Sequence, residues 1–408
     1  MDVHFLTDTS FARRDGVSSV CAICGQDIAS ADDSKEHILP HAIGGRRTVN
    51  NFLHGNCNNR AGQTWDAALE KQLRPLALHI GIKRQSGKNL RTAVTTTAHE
   101  DFLLDVGGQL EIARPVIKRT SVLNNERIDV TTGSLTQARE VLKGLKRKYP
   151  KVDIEATLAG AKSQRSYARG AINIDLNFGG PLSGRSLVKS ALAQAHYAGL
   201  SIEQCGDAVS YLRETDTEPC FRFYYVDDLV DGRPATTPLH CVAIDANPAT
   251  GLILGYVEYF GIHRAVVCLG RDYTCNRLQS VYALDPRTGE QLEVAVSIDL
   301  DAEEIRAIYD CEHVKAEKRL EVVGAMLDSI SDAQQTAEGE YMVRESLNFA
   351  WANCGGVPGQ PLTTEHLERL KELFVKRSTP WWKHVKGLDE AAARQFAIAY
   401  IENVLATA

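Results

Sequence analysis

Between residues 57 and 73 the apolar side chains Ala61, Trp65, Leu69 and Leu73 recur at helical spacing, with Arg60, Asp66, Glu70 and Lys71 between them. Just upstream, Lys35 to Pro40 reads as a short strand closed by proline. Gly44-Gly45 marks a turn, and Phe52-Leu53 reads as the return strand. The pattern predicts a ββα unit with Glu36 and His37 opposite the start of its helix and Asn58 in the first helical turn, facing them. From about 93 to 300 the pattern alternates. Leu110–Arg114, Arg127–Val130, Val152–Ala156, Ala171–Leu176 and Phe221–Val226 read as strands. Leu239–Ile244 and Leu252–Phe260 read as a hairpin across Asn247–Gly251, continued by Ala265–Leu269. Ser134-Leu-Thr-Gln137 resembles a capping box opening a helix to about Lys148, and Leu187–Ala198 is a second helix. Beyond 301 the chain reads as helices over 302–330, 333–350, 362–374 and 389–405, with a break at Gly355–Pro361. Trp381-Trp382, between the last two, reads as core or interface rather than a base-stacking platform. The expected fold is α+β: a zinc-bound ββα unit over 1–92, a mostly antiparallel α+β domain over 93–300, and a helical region over 301–408.

Chemistry concentrates in the first segment. Cys21 and Cys24 are spaced C-x2-C, and His54 and Cys57 repeat that spacing. Zn2+ favours four thiolate or imidazole ligands in a tetrahedron, and a C-x2-C turn aims both thiolates at one point. The segment is too small for a core of its own, so a bound zinc would contribute folding free energy. The other seven cysteines, at 205, 220, 241, 268, 275, 311 and 354, are scattered and read as buried reduced thiols.

The run C-x2-C, Glu36-His37-Ile-Leu-Pro40, Gly44-Gly45, then Cys57-Asn58 resembles the HNH nuclease family, in the version whose ββα core is held by paired cysteines. The likeness covers roughly residues 20 to 75. It implies that His37 is the general base and that Glu36 helps hold a catalytic divalent metal. Asn58 would be the other protein ligand, with Asn59 one residue away. Asn51 or Asn50 would orient the base. The family usually has cysteine where this chain has His54, so the expected zinc site is Cys3His. A hard cation such as Mg2+ or Mn2+ prefers oxygen ligands, keeps several waters and is completed by substrate phosphate. A neutral imidazole titrating near working pH can take the proton from an attacking water.

Charge modifies this picture. The net charge is −6, yet residues 1–100 hold 12 Lys and Arg against 10 Asp and Glu, while the remainder is acidic. Arg46, Arg47, Arg60, Lys83, Arg84, Lys88 and Arg91 cluster near the site and suit phosphate contacts. Lys143, Lys146, Arg147, Lys148 and Lys151 form a second cluster at a helix end. No apolar run is long enough to span a bilayer and no leader is visible, so a cytoplasmic, membrane-free protein is expected. No phosphate loop, dinucleotide fingerprint or nucleophile elbow occurs.

The sequence therefore predicts a metal-dependent endonuclease acting on DNA, with structural Zn2+ and catalytic Mg2+ or Mn2+. Its larger remainder would choose the target or respond to a small-molecule or protein trigger, a plan that suggests bacterial restriction or anti-phage defence by architecture alone. A cut in both strands would need two sites, hence a possible homodimer. The competing reading is a zinc-stabilised nucleic-acid-binding or regulatory module without cleavage.

Overall fold

The computed structural model describes residues 20–84, 90–122, 125–162, 167–214, 216–235, 237–312 and 316–407. Lys88 lies outside them. Strands β1 (Glu36–His37) and β2 (Thr48–Val49) pair antiparallel, with Glu36 opposite Val49 and His37 opposite Thr48. Helices α1 (Gly55–Ala61) and α2 (Ala67–Ile80) follow, joined by a π-helical turn over Gly62–Asp66. This is the expected ββα order, but the return strand is Thr48–Val49. Phe52 and Leu53 are both fully buried, and neighbouring strand residues point to opposite faces.

Strands β3 (Thr92–Thr96), β4 (Asp101–Leu104) and β5 (Leu110–Ile112) come next, then a hairpin of β6 (Val116–Val122) and β7 (Asn125–Thr131). Helices α3 (Leu135–Lys148) and α4 (Ile154–Ala159) follow. The segment 152–156, expected as a strand, is the start of α4. Asp153 caps it by accepting from the Ala156 N–H at 3.0 Å, and that local bond overrides the alternation. Strand β8 (Ile172–Asn173) completes a small sheet ordered β5-β4-β3-β8. Then come α5 (Pro181–Tyr197), α6 (Gly206–Arg213), β9 (Phe221–Phe223), β10 (Val230–Asp231), β11 (His240–Asn247), β12 (Leu252–Tyr259), β13 (His263–Gly270), β14 (Leu278–Leu284) and β15 (Ala295–Val296). The expected hairpin is β11–β12.

Four helices end the chain: α7 (Ala302–Tyr309), α8 (Ala316–Asn353), α9 (Thr364–Lys386) and α10 (Glu390–Thr407). The first predicted helix stops early, after Tyr309, where Cys311 turns left-handed at φ 60°. The predicted gap at 331–332 is absent, since no Gly or Pro interrupts the chain there. Helix α9 runs through the Trp pair despite Pro380 and stops at Gly387, left-handed at φ 60°. Both tryptophans are buried, as expected.

The chain divides into two compact units: 1–95, 101–134 and 172–327 in one; 96–100, 135–171 and 328–408 in the other. The second unit holds a core of Met342, Leu370, Phe374, Trp381, Trp382, Ala397 and Ile401. The first contains both the ββα unit and the main sheet, ordered β14-β11-β12-β13-β9 and antiparallel throughout. Every residue of β12 and β13 is buried, including the charged pair Glu258 and Arg264, whose side chains bond each other at 3.1 Å. One face carries Tyr256, Val266 and Cys268 against Ile305 and Ile308 of α7. The other meets α5, where Tyr259 hydrogen-bonds Ser190 at 3.1 Å and Gln194 donates to Ser280 at 2.9 Å. Of the seven remaining cysteines, Cys275 and Cys311 are exposed rather than buried; all ten are unbridged.

Two histidines in this unit are fully enclosed. His240 donates from Nε2 to the Ile43 carbonyl at 2.8 Å and accepts the Phe260 N–H on Nδ1 at 3.0 Å, which fixes a neutral ring. His263 has neither ring nitrogen hydrogen-bonded; Phe178, Phe223 and Tyr259 surround it. Burial holds His240 down to about 4, and burial with nearby Arg319 holds His263 down to about 3. As pH falls below 6.5 the unfolded chain takes up these protons first. Stability is therefore intact above pH 6.5 and falls toward the folded values. Between pH 6.5 and 4.5 the loss should be smaller in His263→Phe by about 2 kcal/mol, measured by chemical denaturation at both pH values. Equal pH dependence in the two proteins would show that His263 titrates freely in the folded state.

Candidate active site

The knuckle is built by a tight turn and a helix start. Gly25, left-handed at φ 74°, lets its N–H reach the Cys21 carbonyl at 2.9 Å. Arg213 of α6 clamps the same turn, donating to the carbonyls of Ala22 at 3.0 Å and Cys21 at 3.1 Å. His54 is the N-cap of α1, which puts Cys57 in the first turn, where the helix dipole favours a thiolate. The donor atoms of Cys21, Cys24, His54 and Cys57 all lie within 4.8 Å of one another. A tetrahedral zinc shell places such donors about 3.5–3.8 Å apart, so the cluster fits. The His54 Nε2 lies 3.1 Å from the Asp27 carbonyl, and donation there leaves Nδ1, 3.1 Å from Cys24 Sγ, free to ligate. Burial and the neighbouring Cys21 thiol push Cys57 up to about 12. Burial also acts to raise Cys24, but hydrogen bonds from the Gln26 backbone and His54 outweigh it and bring that thiol to about 7.

The turn after β1 explains the glycine pair. A Cβ on Gly45 would sit 1.9 Å from the Leu39 carbonyl oxygen, and Gly44 is left-handed at φ 105°. The turn docks on the sheet through His240. Arg47 is drawn in beside it: its N–H meets the Tyr282 hydroxyl at 3.0 Å, and its guanidinium lies over the Tyr282 ring at 4.2 Å and donates to Gln291 at 2.8 Å. Its guanidinium is therefore already engaged within the chain.

His37 is half-buried, its ring 4.9 Å from that of His41. Burial, then the charges of His41 and Lys189, hold it down to about 4, lower than the near-neutral value expected. Glu36, expected as a ligand of the catalytic metal, is 4% exposed and ion-paired to Lys189 of α5. Lys189 also meets Asp66 at 2.7 Å, and the Ser186 hydroxyl donates to the other Asp66 oxygen at 2.5 Å. Asp66 ends the π-helical turn, a form often found at functional sites. Burial pushes the Glu36 carboxyl up while the Lys189 ammonium pulls it down. Lys189 itself, despite burial, is raised to about 12 by Asp66 and Glu36 and keeps its proton. Sequence reasoning missed Lys189, Asp66 and His41. The one signal was a lysine inside the small, apolar run Leu187–Ala193.

Asn58 faces the start of β1: its Nδ2 reaches Ser34 Oγ at 3.2 Å and the Lys35 carbonyl at 3.4 Å. Asn59 is exposed. Asn51, left-handed at φ 56°, donates its N–H to Asp33 at 2.7 Å. Among the described residues no hydrogen bond joins Asn50 or Asn51 to His37. Arg46, Arg60 and Lys83 are exposed, and Arg84 is half-buried, 3.6 Å from Glu70.

A knuckle, a β-turn-β hairpin carrying Glu-His, and a helix opening on Cys-Asn thus converge within one segment. Residues 21–74 match the HNH endonuclease family. No curated protein and no solved structure matches the chain. An HNH domain suggests a nuclease, and a nucleic acid as its substrate. The HNH unit's donors also fit a hard cation in type. They offer one carboxylate and one amide, and Nδ2 anchoring leaves Asn58 Oδ1 without a protein partner among the described residues. No helix among the described residues is long and apolar enough to cross a membrane.

Protein purified without chelator should contain about one zinc per chain. Cys57→Ser should lose it and loosen the N-terminal segment while far-UV helicity stays largely intact. Elemental analysis and circular dichroism check this; zinc-free wild-type protein that is fully folded would refute it.

Proposed function

We propose that the chain is a metal-dependent HNH-type endonuclease that hydrolyses DNA phosphodiester bonds. The observation that carries this is the match of residues 21–74 to that family, supported by Glu36 and His37 on β1 and by the Asn58 amide bonding the neighbouring Lys35 carbonyl. His37, neutral at working pH, takes the proton of the attacking water. Glu36 and Asn58 would hold Mg2+ or Mn2+, which would supply positive charge to offset the negative charge building at the phosphorus centre and leaving oxygen. Ser34 and the Lys35 carbonyl aim the Asn58 amide. Arg60 and Lys83, exposed on the HNH side of the chain, suit phosphate contacts, joined by Arg46 and Arg84. Asn51 has its place in the β2–α1 connection, where an amide can line the site.

The region beyond residue 92 selects the target or gates the nuclease, and restriction or anti-phage defence is the setting such an arrangement suits. A small-molecule or protein trigger and a homodimer belong to the same reading, as does a cytoplasmic location. One observation favours the non-cleaving alternative, a zinc-stabilised binding module: the Glu36 carboxylate is already paired with an ammonium.

His37→Ala decides between the two. It should lower cleavage of plasmid DNA at least about 100-fold while zinc content and DNA affinity persist. A zinc-loaded His37→Ala protein as active as wild type would sink the assignment. Brief EDTA treatment should stop cleavage without stripping the knuckle, and Mg2+ or Mn2+ should restore it. Asn58→Ala should raise the metal concentration needed, whereas Asn59→Ala should change little. The opposite ranking would move the ligand one residue on, and full activity in EDTA would exclude the metal mechanism.

A further inference from the structure

Lys189 belongs to a helix outside the HNH unit, yet its ammonium lies between two carboxylates of that unit. It bonds Glu36 Oε1 and reaches Asp66 Oδ2 at 2.7 Å. Its side chain is 1% exposed, that of Glu36 5% and that of Asp66 19%. Ser186, one turn earlier on α5, holds the second Asp66 oxygen. We propose that Lys189 is a positioning residue that fixes the aim of Glu36 and supplies a neighbouring positive charge, so that a divalent cation is held weakly at Glu36 and Asn58 until a phosphate joins it. The inference rests on the nuclease reading.

The argument is one of charge. Glu36, Lys189 and Asp66 together carry −1. Without the ammonium the same pocket would carry −2, with two carboxylates free to chelate a cation between themselves, away from Asn58. With it, one Glu36 oxygen is fixed by the lysine, which also holds the carboxylate's orientation. Packing alone does not account for a lysine here, because a buried ion pair contributes little over apolar side chains of the same volume.

The test is a titration of DNA-free, zinc-loaded protein with Mn2+, read by the loss of the free Mn2+ signal in electron paramagnetic resonance. Lys189→Met should tighten Mn2+ about tenfold or more, the scale of a unit charge removed at contact distance, and should slow cleavage at saturating Mn2+. Asp66→Asn should weaken Mn2+ by a similar factor. The double variant Lys189→Met/Asp66→Asn restores −1 and should return to within about threefold of wild type. A purely structural role would move both single variants in the same direction. Zinc content and circular dichroism report folding, and if Lys189→Met does not fold, Asp66→Asn and the double variant carry the test. Like affinities in all four proteins, or shifts of one sign, would overturn the role of Lys189 while leaving the nuclease reading standing. Wild-type protein that neither binds Mn2+ nor cleaves would overturn both.

Discussion

A buried ammonium constrains everything around it. Desolvating Lys189 costs several kcal/mol unless carboxylates repay it, and removing one partner of such a pair costs about 3–5 kcal/mol. Glu36 and Asp66 must therefore both reach one atom of α5. That fixes how β1 and the π-helical turn sit against the helix. The π turn supplies the rotation: one extra residue in the helical ladder changes the facing of everything before it relative to α2.

The helix that brings the lysine is shaped for close approach. Ser183, Gly184, Ser186, Ser190, Ala191 and Ala195 leave little side-chain bulk on it. A Cβ on Gly184 would strike the Phe221 ring at 2.5 Å, and Gly255 of β12 lies 3.1 Å from the Ala191 methyl at its own Cβ position. Helix and sheet thus meet almost backbone to backbone on one side, while Lys189 engages the HNH unit on another. Further ties run from the sheet to the turn after β1: His240 to the Ile43 carbonyl, and Tyr282 to Arg47. The HNH unit in this chain is held by side chains from four elements outside it, counting Arg213 of α6.

What could be read from the sequence was local. The C-x2-C and H-x2-C pairs place their ligands through a turn and a helix start, both short-range structures. So do the Gly44-Gly45 turn, the α1 register that aims Asn58, and the β11–β12 hairpin. What could not be read was set by distant partners. The burial of Glu36 depends on a residue 153 positions away, and the withdrawal of Arg47 on Tyr282, 235 positions away. Val152–Ala156 failed for the opposite reason: alternation is a weak signal beside an aspartate able to cap a helix. The continuity of α8 was missed because its apolar positions do not keep to one stripe, so pattern alone gave no reason to join its halves.

The same lysine acts on both chemical groups of the site. Its charge lowers the His37 imidazole, after burial and His41, and it opposes the burial that would neutralise Glu36. The electrostatics of His37 and Glu36 thus depend partly on α5. A segment cut at residue 84 would keep the zinc donors and the β1–β2 pairing. It would leave Glu36 and Asp66 without their shared cation, and Phe52, Leu69 and Leu73 without part of their cover. The Cys21, Cys24, His54 and Cys57 cluster, which could hold zinc, organises this HNH unit locally; its electrostatics are supplied by the helix and sheet it rests on.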